Sequence, residues 1–210
     1  MKTSFYVLSV LAGMMMINIM PVVAADTVSL PPTTPAAALL CASCHGAKGQ
    51  GIDIIGPRLV GLSAEYISNQ LKLFHANKRQ NPTMLAMAAT VQGDNIAVVA
   101  DYFSQQPVDD IKLQFRGDKV AISDPFEALA FQGDWSRTLP ACTSCHGPSG
   151  IGGGQFPRLA GQQASYLKTQ LLAWQDGTRS GDADNMMGHV ALKLTAAEID
   201  GLSQFFANIK

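Results

Sequence analysis

Apolar residues recur at helical spacing in two stretches that lie 100 positions apart. Ser63 to Asn77 carries Tyr66, Leu71 and Phe74, and Gln163 to Asp176 carries Tyr166, Leu167, Leu171 and Trp174, with polar residues between them. Apolar positions three to four apart form a stripe on one helical face, so the pattern predicts a helix in each place. Polar start signals predict more. Asp124-Pro125-Phe126-Glu127 combines an N-cap acid, a proline at the first helical position and a glutamate at the third, a capping box with the helix running towards Phe131. Thr34-Pro35 opens a shorter equivalent that ends at Cys41. Thr195 to Ile209 opens with a Thr195/Glu198 capping box, and its counterpart, Asn95 to Gln105, follows the weaker start Gly93-Asp94. Around the cysteines there are only helix-compatible and Gly-rich stretches, so the expected fold is all-α.

The spacing of the two stretches extends to a tandem duplication. Gly56-Pro57-Arg58-Leu59-Val60-Gly61 matches Phe156-Pro157-Arg158-Leu159-Ala160-Gly161, and Tyr66, Gln70 and Leu71 match Tyr166, Gln170 and Leu171 at the same offset of 100. The cysteines are offset by 101, so one residue has been lost from the second copy before its Pro-Arg-Leu turn, within Gly150 to Gly154; loops absorb such changes. Residues 26–106 form the expected first domain and 124–210 the second. Residues 107–123, mixed and charged, form a linker crossing the surface.

The N-terminus changes the picture by placing the chain in a compartment. Met1 and Lys2 make a short positive start, Phe5 to Met20 is almost wholly apolar, and Val23-Ala24-Ala25 offers small residues for cleavage before Asp26. Residues 1–25 are therefore expected to be an export signal, with the periplasm as destination. An uncleaved anchor is the lesser alternative, because the apolar run is interrupted by Ser9 and Asn18 and is short against the roughly 20 residues of a membrane span.

Every cysteine lies in a Cys-x-x-Cys-His pentapeptide, Cys41 to His45 or Cys142 to His146. Two thiols three apart can each form a thioether to a haem vinyl group, and the adjacent histidine then lies under the iron as axial ligand. Two covalently bound c-type haems follow, with His45 and His146 on their irons. A zinc site would need two nearby knuckles, and a redox dithiol belongs beside a strand–helix unit; neither matches these surroundings.

Each iron then needs a sixth ligand, for which the copies offer Met84 or Met87 and Met186 or Met187. Aligning Val91 with Leu194 ahead of the last helix puts Met84 and Met187 at the same place, which favours them and leaves Met87 and Met186 as alternatives. Methionine also fills irregular gaps in cores. Thioether ligation would raise both potentials relative to bis-histidine. His75, near Lys72, Lys78 and Arg79, and His189, two residues after Met187, are expected at the surface or behind the ligands.

The formal charge of −1 is spread over both halves, which leaves no electrostatic footprint for nucleic acid. Docking to redox partners would rely on an apolar patch around a haem edge as much as on charge, in small and weak encounters. Peripheral membrane association stays open.

Two such motifs about 100 residues apart, each followed by a Pro-Arg-Leu-x-Gly turn, a Tyr-x-x-x-Gln-Leu helix and a methionine before the last helix, resemble the dihaem cytochrome c4 family. The likeness is strongest over Leu139 to Ile209. It is weaker in the first copy, whose opening helix is short and whose Gly-rich loop is replaced by Gly51-Ile52-Asp53-Ile54-Ile55. The resemblance implies two tandem class I cytochrome c domains, each a few helices around a covalent haem, facing each other with haem propionates near the interface. It implies His45 and His146 as proximal and Met84 and Met187 as distal ligands, with the Pro57 and Pro157 carbonyls receiving the proximal imidazole N–H. It also implies Arg58 and Arg158 near propionates, and Tyr66 and Tyr166 beside a haem edge.

The expected function is that of a non-enzymatic periplasmic carrier of single electrons between respiratory-chain components. A quinol-oxidising complex or a dehydrogenase would be the donor and a terminal oxidase the acceptor. A cytochrome subunit fixed in a dehydrogenase complex is one alternative; a dihaem peroxidase or a sulfur-compound dehydrogenase is another. Peroxidases need an open coordination position and sulfur-oxidising haems often a cysteine ligand, and the chain has no spare cysteine and a methionine for each iron.

Overall fold

The structure, a computed structural model, describes residues 34–113 and 121–210. The export signal expected over residues 1–25 lies outside them, as does part of the expected linker. Among the described residues there is no strand, and no helix is long and apolar enough to cross a membrane.

The first half holds α1 (Ala36–His45), α2 (Ala64–His75), α3 (Pro82–Ala89) and α4 (Asn95–Ser104). The second holds α5 (Pro125–Gln132), α6 (Cys142–His146), α7 (Ala164–Gln175), α8 (Met186–Ala191) and α9 (Ala196–Ala207). The helices predicted by periodicity and capping are present. At α9 the Glu198 backbone N–H donates to Thr195 Oγ1 at 3.2 Å, and the Thr195 N–H donates to Glu198 Oε2 at 2.8 Å. Each partner satisfies a backbone donor that the first helical turn leaves open.

Two expectations change. The helix opened at Thr34-Pro35 does not stop at Cys41 but runs through the whole pentapeptide to His45, since nothing in Ala36-Ala37-Ala38-Leu39-Leu40 or in the motif breaks it. The methionine segments, left without secondary structure above, are helical. Asn81 caps α3 by accepting from the Met84 N–H at 2.9 Å, with Pro82 at the first helical position.

Each half has its own core. In the first, α2 and α1 both pack on α4 around Phe103, which is 0% exposed; in the second, α7 and α5 both pack on α9 around Ile199 and Phe206. A glycine with positive φ lies against the terminal-helix aromatic in both. A Cβ at Gly49 would sit 2.8 Å from the Phe103 ring and one at Gly150 2.9 Å from the Phe206 ring, which only glycine permits. The chain leaving α4 is not merely a surface crossing, because Ile111 packs against the second core.

The one-residue difference between the copies is localised by backbone pairing. Ile52 pairs with Gly56, whereas Gly153 pairs with Phe156, so the shorter turn is the one between Gly153 and Phe156. In the longer turn Ile54 has φ 68° and is 91% exposed.

The halves meet through a short antiparallel pairing of Arg79 with Arg179. The Gln80 N–H donates to the Thr178 carbonyl at 2.8 Å, and the Ser180 N–H donates to the Lys78 carbonyl at 2.7 Å.

Candidate functional site

Helices α1 and α6 end on the two histidines, and Gly46 (φ 83°, ψ 155°) and Gly147 (φ 76°, ψ 173°) then turn the chain back in a positive-φ conformation open to glycine. The return segment brings a proline carbonyl under each ring. His45 Nδ1 lies 2.8 Å from the Pro57 carbonyl oxygen and His146 Nδ1 lies 2.8 Å from that of Pro157. A carbonyl only accepts, so Nδ1 carries the proton in both rings, and Nε2 of the neutral imidazole is the lone pair left for a metal. Burial pushes both imidazoles below the usual histidine range. The proline carbonyl opposes this in part, while Arg79 adds to it at His45 and Arg179 at His146. Burial also pushes the Cys41 thiol up and the Cys142 thiol up to about 12, the opposite of an activated dithiol.

In the second half Cys142, Cys145, His146, Pro157, Arg158, Tyr166 and Met187 line one cavity of about 400 Å³. Its walls are mainly apolar, and α2 of the first half contributes Tyr66, Gln70 and Leu73 to them. The Met187 backbone N–H is held by Asp182 Oδ2 at 2.7 Å. Met187 is half-buried, whereas Met186 also reaches the cavity but is 42% exposed. In the first half Cys41 and Met84 both pack, half-buried, on the first core, and Met87 is half-buried on the same helix. His75 and His189 are exposed, His75 with Nε2 at 2.7 Å from the Ala88 carbonyl.

Tyr66 and Tyr166 meet the opposite half. Arg79 Nη2 donates to Tyr166 OH at 2.6 Å and Gln170 Oε1 at 2.8 Å, while Nη1 donates to Gln70 Oε1 at 3.1 Å. Reciprocally, Arg179 Nη2 donates to Tyr66 OH at 2.8 Å and Gln70 Oε1 at 3.1 Å, and Nη1 donates to Gln170 Oε1 at 2.9 Å. The guanidiniums also lie over rings of their own halves, Arg79 over Phe74 and Arg179 over Trp174. Burial alone would raise the Tyr166 phenol, but the two cations outweigh it and hold the group below the usual tyrosine range.

These two arginines were not singled out from the sequence, although their offset of 100 equals that of Tyr66/Tyr166 and Gln70/Gln170. Both are buried, and among the described residues neither forms an ion pair with a carboxylate. The Arg179 and Arg58 Nε atoms are buried without a hydrogen-bond partner there, and so is Asp182 Oδ1. Of the arginines named from the sequence, Arg158 lines the cavity and donates from Nε to the Ala160 carbonyl at 2.9 Å, and Arg58 reaches Asp109 at 3.7 Å.

Buried cations call for an anion. A haem fits on three counts: a flat apolar body for the cavity, two carboxylates for the uncompensated guanidiniums, and an iron for the imidazole Nε2.

The cytochrome c domain family matches the chain twice, over residues 36–111 and 137–210. The chain is 40% identical over 175 residues to a thiosulfate dehydrogenase electron acceptor of Stutzerimonas stutzeri, covering 82% of this chain and 80% of that protein. It is 32% identical to cytochrome c4 of Pseudomonas aeruginosa, covering 83% of this chain and 86% of the other. The crystal structure of reduced cytochrome c4 from Pseudomonas stutzeri superposes with a TM-score of 0.71 at 29% identity, over 82% of this chain and 95% of that one.

Proposed function

The chain belongs to the cytochrome c4 family of electron-transfer proteins with two covalent c-type haems, and from that premise we propose that it accepts electrons in the periplasm from a dehydrogenase acting on a reduced sulfur compound such as thiosulfate, and passes them singly towards a terminal oxidase. Cys41 and Cys44 hold one haem and Cys142 and Cys145 the other. His45 and Met84 would ligate the iron in the first half, and His146 and Met187 in the second.

Each haem, when bound, supplies a one-electron iron couple. The side chains set the conditions for it. The Pro57 and Pro157 carbonyls fix each imidazole in the tautomer whose Nε2 is free to bind a metal, and α2 of the first half forms part of the wall of the second cavity. Arg79, Arg179 and Arg158 would compensate the haem carboxylates.

The observation that supports the carrier reading is the gathering of Cys142, Cys145, His146 and Met187 on one cavity, where the histidine and the methionine would both ligate the iron of that haem. Similarity to a thiosulfate dehydrogenase electron acceptor supports the donor. The likeness to cytochrome c4 along nearly its whole length favours a second reading, a general shuttle fed by a quinol-oxidising complex.

The test is rapid mixing of the oxidised holoprotein with a thiosulfate dehydrogenase and thiosulfate, following the reduced haem band. Reduction of both haems is expected. Reduction by a quinol-oxidising complex alone would support the general shuttle, and a high-spin fraction that binds carbon monoxide would return the protein to the enzymes.

A further inference from the structure

The Pro57–Arg58 peptide group is engaged on both sides. Its carbonyl oxygen lies 2.8 Å from His45 Nδ1, and its N–H donates at 3.0 Å to Gln162 Oε1, a side chain of the second half. Gln162 is 4% exposed and also donates from Nε2 to the Arg58 carbonyl at 2.9 Å, so it clamps this backbone from two directions. The Gln163 N–H, at 3.1 Å from Gln162 Oε1, fixes the amide in that orientation.

The reciprocal contact does not exist. His146 Nδ1 meets the Pro157 carbonyl at the same 2.8 Å, but the residue of the first half that corresponds to Gln162 is Leu62, which has no polar side-chain atom. The backbone at the two positions is alike: the Leu62 and Gln162 N–H groups each donate to the carbonyl three residues earlier, Leu59 and Leu159, at 3.1 Å.

A peptide group is a planar conjugated unit, so a hydrogen bond accepted from its N–H moves electron density onto its oxygen. Consecutive hydrogen bonds strengthen one another, by roughly 10–30% per bond in condensed-phase estimates. The Pro57 oxygen is then a stronger acceptor than that of Pro157, the His45 imidazole is more electron-rich, and the ferric state of an iron on Nε2 gains more from it.

We infer that Gln162 is a positioning residue acting across the domain interface, holding the first haem at a lower potential than its own ligands would give and making that potential depend on docking of the second half. The inference rests on His45 being the proximal ligand of the first haem.

The test is spectroelectrochemistry of the holoprotein, with the two haems distinguished by NMR of their iron-shifted methyl groups. In Gln162→Leu, which copies the other half, the first haem is expected to shift upward by more than the second, whose cavity Gln162 also lines. Gln162→Glu, which keeps an acceptor for the Arg58 N–H, should leave the first haem at or below its original potential. Gln163→Ala removes a different contact between the halves, its 3.0 Å bond to the Gly56 carbonyl, and should move neither haem. An unchanged first haem in Gln162→Leu overturns the inference. So does a downward shift of both haems, the signature of an interface merely opened to water. The underlying ligation is checked separately by the spectrum of the unmutated protein, which must show two low-spin haems.

Discussion

The two halves build equivalent histidine–proline contacts on unequal supports. In the first, one ten-residue helix carries both the packing against α4 and the Cys41 to His45 pentapeptide; in the second, α5 packs on α9 and a separate five-residue α6 presents the motif. At α5 the crossing is so close that a Cβ on Gly201 would lie 2.3 Å from the Phe126 ring. Arg137 ties the turn between α5 and α6 to the start of α9 through Glu198 at 2.7 Å. What is unchanged between the halves is the histidine–proline carbonyl contact, the glycine against the terminal aromatic, and the tyrosine, glutamine and arginine of the interface. The comparison separates the histidine–proline and interface contacts, which recur in both halves, from the supports of the helices that carry them, which differ.

The strongest way to break the comparison is to empty one site. Replacing Cys142 and Cys145 together by serine should halve the haem content per chain by pyridine haemochrome assay, with the remaining haem in the first half; retention of two would refute the attachment scheme. Next in size are the paired core aromatics. Phe103→Ala and Phe206→Ala remove equivalent buried rings and should each cost about 3–5 kcal/mol by denaturant unfolding of the holoprotein; a loss below about 1 kcal/mol at either would show that the cores are not equivalent.

A smaller effect is expected at the methionines. Met187→Ala should abolish the near-infrared sulfur-to-iron band of one haem and lower its potential, while Met186→Ala should leave both; the reverse result would exchange their roles. The smallest concerns a network that, among the described residues, is found in the second half alone. Hydrogen bonds from Ser136 and Arg137 hold the Asp134 carboxyl below its ordinary value, and Arg137 does the same for Glu198. Depressed carboxylate values mean stability that is present above the ordinary carboxylate range and is lost as pH falls through the folded-state values. Arg137→Ala should therefore lower Tm at pH 7 and lose its effect once acid has protonated both carboxyls, which thermal unfolding at pH 7 and across an acid series would check.

Much of the site was legible because its chemistry is local. The pentapeptides, the Pro-Arg-Leu turns directly after Gly56 and Phe156 and the capped final helix all lie within a few turns of chain. Helices α3 and α8 escaped because they are short and carry no apolar stripe, although Asn81-Pro82 is the same kind of start signal as Asp124-Pro125. Arg79 and Arg179 escaped for another reason. In the sequence Arg79 stands beside Lys78 and reads as solvated charge, and its burial comes from partners on the far half, Tyr166 and Gln170, 87 and 91 positions away. The repeat held the signal, since both arginines keep the offset of the residues they meet.

The reciprocal contact, in which Arg79 reaches Tyr166 and Arg179 reaches Tyr66, is the self-complementary patch of an isologous dimer, here written into one polypeptide. In an assembly of identical subunits every substitution appears twice, and the two centres are bound to stay alike. Covalent fusion lifts that restriction: Gln162 on one side of the pseudo-dyad faces Leu62 on the other, so the molecule keeps the economy of a symmetric interface while each half is free to evolve its own redox character.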